Sequence, residues 1–149
     1  NVRLVESGAT LEVTGIRVAK YLPDYTATFG LPDVIENDYA LIRYADVVLM
    51  KAEAELRSGS AAAALLTINS LRNVRGATPL LTVTLNDIYD ERGREFYWEG
   101  NRRTDMIRFG RFLAPFQEKP GTSPAARLLF PIPVSALAVN PNLSQNPGY

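Results

Sequence analysis

Three glutamates stand four residues apart at Glu91, Glu95 and Glu99, and arginines crowd around them at Arg92, Arg94, Arg102, Arg103 and Arg108, with Asp105 close by. At that spacing the carboxylates project from one face of a helix. Such a stripe has two readings. Paired carboxylates hydrolyse glycosidic bonds when one is held protonated in an apolar pocket, the other stays ionised, and the two flank the sugar. Here every candidate has guanidinium neighbours, and successive carboxylates point the same way instead of facing each other across a substrate. The second reading is structural: like charges along a helix face destabilise it unless cations lie against them. That reading is preferred, and no catalytic residue is assigned. Arg43, Glu91, Arg92, Glu95, Glu99, Arg102, Asp105 and Arg108 are expected to form an ion network. In it Arg102, Arg108 and Arg43 reach across to the glutamates and staple one helical hairpin to another.

Other chemistries find little support. The chain has no His and no Cys. That removes thiol nucleophiles, disulfides, His- or Cys-ligated zinc and the imidazole base. Asp46 and Glu53 lie seven residues apart on one helix, but no third or fourth oxygen ligand accompanies them, so pairing with arginine is expected rather than a metal. There is no glycine-rich phosphate loop and no serine elbow, and no cofactor is expected. Sixteen basic residues balance sixteen acidic ones, so nothing draws the chain globally to nucleic acid or an anionic membrane. Thirteen of the basic residues are Arg and three are Lys, a bias toward planar pairing in fixed geometry. No apolar run is long enough to span a bilayer. Among the aromatics, Trp98, Phe96, Tyr44 and Phe109 fall at core-compatible helix positions. Tyr25, Phe29 and Phe116 fall in loops, where rings are placed to stack on sugars.

The elements that must position these groups read as mainly α, in a single domain over residues 1–149. Residues 10–20 alternate with β-branched side chains, which predicts a short strand, and 21–37 form an irregular loop. Hairpin one covers 39–76. A helix from Tyr39 to Arg57 stops at Gly59, and a second runs from a Ser60 cap through Val74 to Gly76. Three residues between two helices force an antiparallel return, and the run Ala61 to Ala64 lets the pair approach closely, as in a tetratricopeptide-type hairpin. Hairpin two covers 84–110: Thr84 caps a helix to Glu99 with Asp87 completing a capping box, and a shorter helix spans Arg103 to Phe109. Gly93 sits inside the third helix at a cost of about 1 kcal/mol relative to Ala. Residues 111–149 are loop and irregular tail, extended at Phe130-Pro131-Ile132-Pro133, with one helical turn from Ser135 before Asn140-Pro141.

Four ordered blocks carry a resemblance. They are Leu41-Ile42-Arg43-Tyr44-Ala45-Asp46-Val47-Val48-Leu49-Met50-Lys51-Ala52-Glu53-Ala54 followed by Ile68-Asn69-Ser70-Leu71-Arg72; then Glu91-Arg92-x-x-Glu95-Phe96 with Glu99-Gly100-x-Arg102-x-x-Asp105-Met106-x-Arg108; then Pro131-Ile132-Pro133; and last Asn140-Pro141-Asn142-Leu143-x-Gln145-Asn146-Pro147-Gly148-Tyr149. With these the chain resembles the C-terminal part of SusD/RagB-family outer-membrane nutrient-binding proteins. Gly93 departs from the family pattern, which often has another arginine there. The resemblance implies an α-helical, tetratricopeptide-like scaffold without a catalytic centre. It also implies capture of a glycan or peptide nutrient at the bacterial cell surface and delivery to a TonB-dependent outer-membrane transporter barrel. A lipid anchor would lie upstream of residue 1, with no membrane insertion by these residues. A rival reading is a tetratricopeptide-like module that binds protein partners in its groove.

Overall fold

The computed structural model describes residues 20–21, 38–116 and 119–149. The chain divides into two compact units, Asn1–Tyr44 and Ala45–Tyr149. In the first, the rings of Tyr21 and Tyr39 meet at 5.4 Å. The strand expected over 10–20, and loop residues Tyr25 and Phe29, lie outside the described residues.

The described chain is mainly α, as the sequence reading expects. Helix α1 spans Tyr44–Arg57 and α2 spans Ala61–Val74. The expected start at Tyr39 is too early by five residues. Leu41 and Ile42 are exposed, so extending the helix over them would bury nothing, whereas Asp46 stands in the first turn of the observed helix and complements its dipole. Gly59 closes α1 with φ +88. Its N–H bonds to the Leu56 carbonyl at 3.1 Å while the Ser60 N–H reaches the Glu55 carbonyl at 2.8 Å, the paired bonds of a Schellman end that needs a left-handed residue. The same two bonds close α2 and α4. Across the α1–α2 pair, the Thr67 hydroxyl donates to Glu55 at 2.7 Å and accepts from the Lys51 ammonium at 2.9 Å.

Helix α3 spans Leu85–Glu95 and α4 spans Arg102–Arg108. The Thr84 hydroxyl accepts from the Asp87 N–H at 3.2 Å and the Asp87 carboxylate accepts from the Thr84 N–H at 2.8 Å, so the capping box forms. Helix α3 ends four residues before the expected Glu99. Phe96 is its C-cap, and Trp98 takes φ +65, a left-handed backbone that breaks any helix. Glu99 therefore reaches its buried place from a turn, not from the helical stripe.

The core joins α1, α2 and α3 through Ala45, Leu49, Ala52, Ala64, Ile68, Leu71, Val83, Ile88 and Phe96. Leu49, Ile68 and Ile88 are fully buried, each worth roughly 1.5–3 kcal/mol of burial. Phe96 and Phe109 pack as expected, but Tyr44 and Trp98, read as core, are exposed. Beyond α4 the described chain holds a 3-10 turn at Ala125–Leu128 and helix α5 at Val134–Val139. Side-chain amides tie the irregular segments down. Asn69 grips the Leu80 peptide unit at 2.9 and 2.8 Å, and Gln145 grips that of Ile132 at 2.8 and 3.0 Å.

Candidate functional site

Arg92 is the centre of the ion lattice. Its Nε donates to both Asp105 oxygens at 2.9 Å and its Nη1 to Asp46 at 2.7 Å, while the guanidinium lies 5.0 Å from the Phe96 ring centroid. One side chain on α3 thus fastens α4 and α1. The side chains of Arg92 and Asp105 are 6% and 3% exposed, so the pair is deprived of water and depends on its full set of partners. Arg108 extends the lattice, donating to Asp105 at 2.9 Å and to Glu53. Burial works against the Arg108 charge, but the hydrogen bonds to Glu53 and Asp105 outweigh it and raise its pKa. Glu53 also accepts from Arg57 at 2.7 Å. Asp46 and Glu53, the pair weighed as cation ligands, are both engaged by arginine. Among the described residues no acidic group is arranged to hold a metal ion.

Glu91 and Glu95 meet arginines other than Arg102 and Arg108. Glu91 accepts from Arg72 on α2 and from Arg94 at 2.6 Å. Glu95 takes a two-pronged grip from Arg75, at 3.0 and 2.7 Å. Arg72 also holds the Thr78 carbonyl through Nε and Nη2 at 2.9 and 2.6 Å. Contacts of the kind expected from Arg102 and Arg108 come to Glu91 from Arg72 in the last turn of α2 and to Glu95 from Arg75 at its C-cap. Arg72 and Arg75 were missed because a basic residue at a helix C-terminus is adequately explained by the dipole. Their spacing of three on one face was the available signal. Arg43 precedes α1 and is half-buried.

Arg102 crosses α3 at Gly93. Its Nη1 donates to the Tyr89 carbonyl at 2.9 Å and its guanidinium lies 3.6 Å from the Tyr89 ring centroid. A Cβ on Gly93 would stand 2.8 Å from that Nη1. The glycine inside the helix is the passage for the arginine.

Beside this passage a cleft of about 690 Å³ is lined by Asp90, Gly93, Arg94, Tyr97, Trp98 and Arg102, among others. Trp98 is 70% exposed and Tyr97 57%. A left-handed backbone at a bulky residue costs on the order of 1–3 kcal/mol. Of the loop aromatics singled out for sugar stacking, Tyr25 and Phe29 are outside the described residues. Phe116 is exposed, its backbone pairs with that of Lys119, and the Lys119 ammonium lies 5.6 Å from its ring.

Antiparallel helical hairpins joined by buried arginine–carboxylate pairs define a scaffold of the tetratricopeptide-like helical class. The chain belongs to the SusD family, whose sequence model matches residues 5–149. It is 41% identical over 123 residues to the starch-binding protein SusD of Bacteroides thetaiotaomicron, covering 76% of this chain and 22% of that protein. To the SusD-like protein P38 of Formosa agariphila it is 30% identical over 132 residues, covering 79% of this chain and 26% of that one. The chain thus spans about a quarter of the length of these relatives.

Proposed function

We propose that this chain serves glycan capture at the bacterial cell surface, as a non-catalytic component of a nutrient-binding lipoprotein that passes its ligand to a TonB-dependent outer-membrane transporter barrel. A peptide nutrient is the second ligand class the family allows. The observation that carries the reading is the engagement of the acidic residues by arginine. Glu53, Glu91, Glu95, Asp46 and Asp105 all accept from guanidinium groups. A glycosidase needs one carboxylic acid that keeps a proton and a partner across the sugar, and carboxylates locked to arginines serve neither role. Family membership, and the starch binding for which the Bacteroides relative is named, support glycan as the ligand. Among the described residues no helix is long and apolar enough to cross a membrane. Structural roles are proposed for Arg43, Glu91, Arg92, Glu95, Glu99, Arg102, Asp105 and Arg108. The testing experiment is titration calorimetry of the chain against maltoheptaose and other neutral oligosaccharides, with sugar analysis of the mixture afterwards. Binding without cleavage is expected. Hydrolysis abolished by Glu95→Gln, with the fold intact, would overturn it.

A further inference from the structure

We propose that the cleft at the end of α3 is a sugar-stacking site, in which Tyr97 and Trp98 hold the apolar face of a glycan ring and Asp90, Arg94 and Arg102 take its hydroxyls. The proposal rests on the capture reading and gives it a place. From Tyr89 onward, the other described aromatic side chains have a ring, a cation or a hydroxyl bond to occupy them. Tyr89 has Arg102 and Arg111, Phe96 has Arg92, and Phe109 has Arg57 and Arg108. Arg103 lies 4.5 and 4.4 Å from the Phe112 and Phe130 centroids, Lys119 sits by Phe116, and the Tyr149 hydroxyl bonds to backbone carbonyls. Tyr97 and Trp98 have no such partner among the described residues, and neither do their polar tips. In a fold this rich in arginine, two adjacent bare rings beside a cleft are conspicuous. The left-handed backbone at Trp98 is strain retained where the ring is exposed, a pairing found at ligand clamps.

The rim decides the ligand class. Asp90 carries no ion pair or hydrogen bond among the described residues. Arg102 uses one N–H on the Tyr89 carbonyl and Arg94 one on Glu91, so each retains donors. A free acceptor beside free donors matches hydroxyls, which both give and accept. An anion would use the arginine donors but leave the Asp90 acceptor unmatched, and an alkyl chain would strip water from the charges without replacing their bonds. The volume of about 690 Å³ falls in the range of small-ligand sites, and a mostly apolar wall with a few polar groups is their usual make-up. A neutral oligosaccharide satisfies both the rings and the rim.

Trp98 is the chain's one tryptophan, so its emission reports this site directly. The 149-residue chain is titrated with maltoheptaose while heat and tryptophan emission are followed in parallel. The expected result is a shift of emission to shorter wavelength that saturates with the heat, and a loss of affinity of about tenfold or more in Trp98→Ala with an unchanged melting temperature. Trp98→Phe, which keeps a ring, should recover part of the affinity. Heat without an emission change, with Trp98→Ala binding as well as wild type, would overturn the site while leaving the capture reading standing. No heat with maltoheptaose, cellohexaose, laminarihexaose or xylohexaose would sink both. An emission shift produced by an apolar peptide and by none of these sugars would make the cleft a protein-docking groove and overturn the proposal.

Discussion

Arg92 stands where α1, α3 and α4 meet, and its guanidinium satisfies two carboxylates that have little water to replace it. The cost of losing it is set by what is left behind. Arg92→Ala leaves buried Asp105 with Arg108 as its remaining cation among the described residues, so the loss falls at the low end for a broken buried pair, about 3 kcal/mol. Arg94 makes a comparison within the same helix. Its side chain is 59% exposed and pairs with Glu91 three residues back, so Arg94→Ala should cost about 0–1 kcal/mol. Urea unfolding followed by helical circular dichroism reads both, and equal midpoints for the two variants would refute the distinction. Gly93 poses a different contest. Ala is favoured over Gly inside a helix by about 1 kcal/mol, but the added methyl displaces Arg102 from the Tyr89 carbonyl and ring. Losing those contacts costs about 1–2 kcal/mol. Gly93→Ala should therefore be neutral to mildly destabilising alone, and stabilising by about 1 kcal/mol in an Arg102→Ala background. A double-mutant cycle measures the difference, and additivity would show that the arginine does not need the gap.

Helices α1 and α2 are locked on their outer side by Lys51, Glu55 and Thr67. The Glu55 carboxyl is held below its ordinary pKa, first by the hydrogen bond from Lys51 and then by that from Thr67. A depressed carboxylate adds stability above its unfolded-state pKa and loses it as pH falls through the lower folded value. Glu55→Gln should thus be less stable than wild type at neutral pH, and the gap should close below about pH 4. Parallel urea titrations at several pH values check this; a gap that widens in acid would contradict it. At this scale the sequence was a good guide where local chemistry rules. The Thr84–Asp87 box and the turn at Gly59 follow from neighbouring residues alone, and both form as expected. It was a poor guide where distant parts compete. Nothing local indicates that Trp98 takes a left-handed backbone, because the pattern Phe96, Tyr97, Trp98 continues a plausible helix. The choice of Arg72 and Arg75 as partners for the glutamates depends on how α2 lies against α3, which spacing along one helix does not determine.

The Ala45–Tyr149 unit has a core drawn from residues 45 to 96, with Val48, Leu56, Leu65, Leu80 and Phe109 packed against it. No described residue after Phe109 belongs to that cluster. The tail is attached by polar contacts instead: Gln145 to Ile132, Asn146 to the Phe130 carbonyl at 2.7 Å, and the Tyr149 hydroxyl to the Ala126 and Leu129 carbonyls at 3.2 and 3.0 Å. These contacts give a physical role to the closing Gln145-Asn146-Pro147-Gly148-Tyr149 block, whose pattern in the sequence carried family likeness but no mechanism. Among the described residues these contacts connect the tail mostly to itself; its ties to the helices are Arg103, which donates to the Arg127 carbonyl at 3.1 Å and stacks near Phe130, and, next to α4, Arg111, which donates to Asn86 and lies 4.3 Å from the Tyr89 ring centroid. Stability should therefore be divided, with the α1–α4 core melting as one unit and the tail opening locally at lower free energy. Deleting residues 140–149 removes the amide and hydroxyl anchors but no core side chain. The shortened chain should melt within about 4 °C of the full one, the shift that a loss of about 1 kcal/mol produces in a domain of this size. Limited proteolysis should meanwhile cut between 119 and 139 much faster than before. A large drop in melting temperature would show that the tail supports the helices cooperatively, and unchanged proteolysis would show that its polar anchors hold nothing in place.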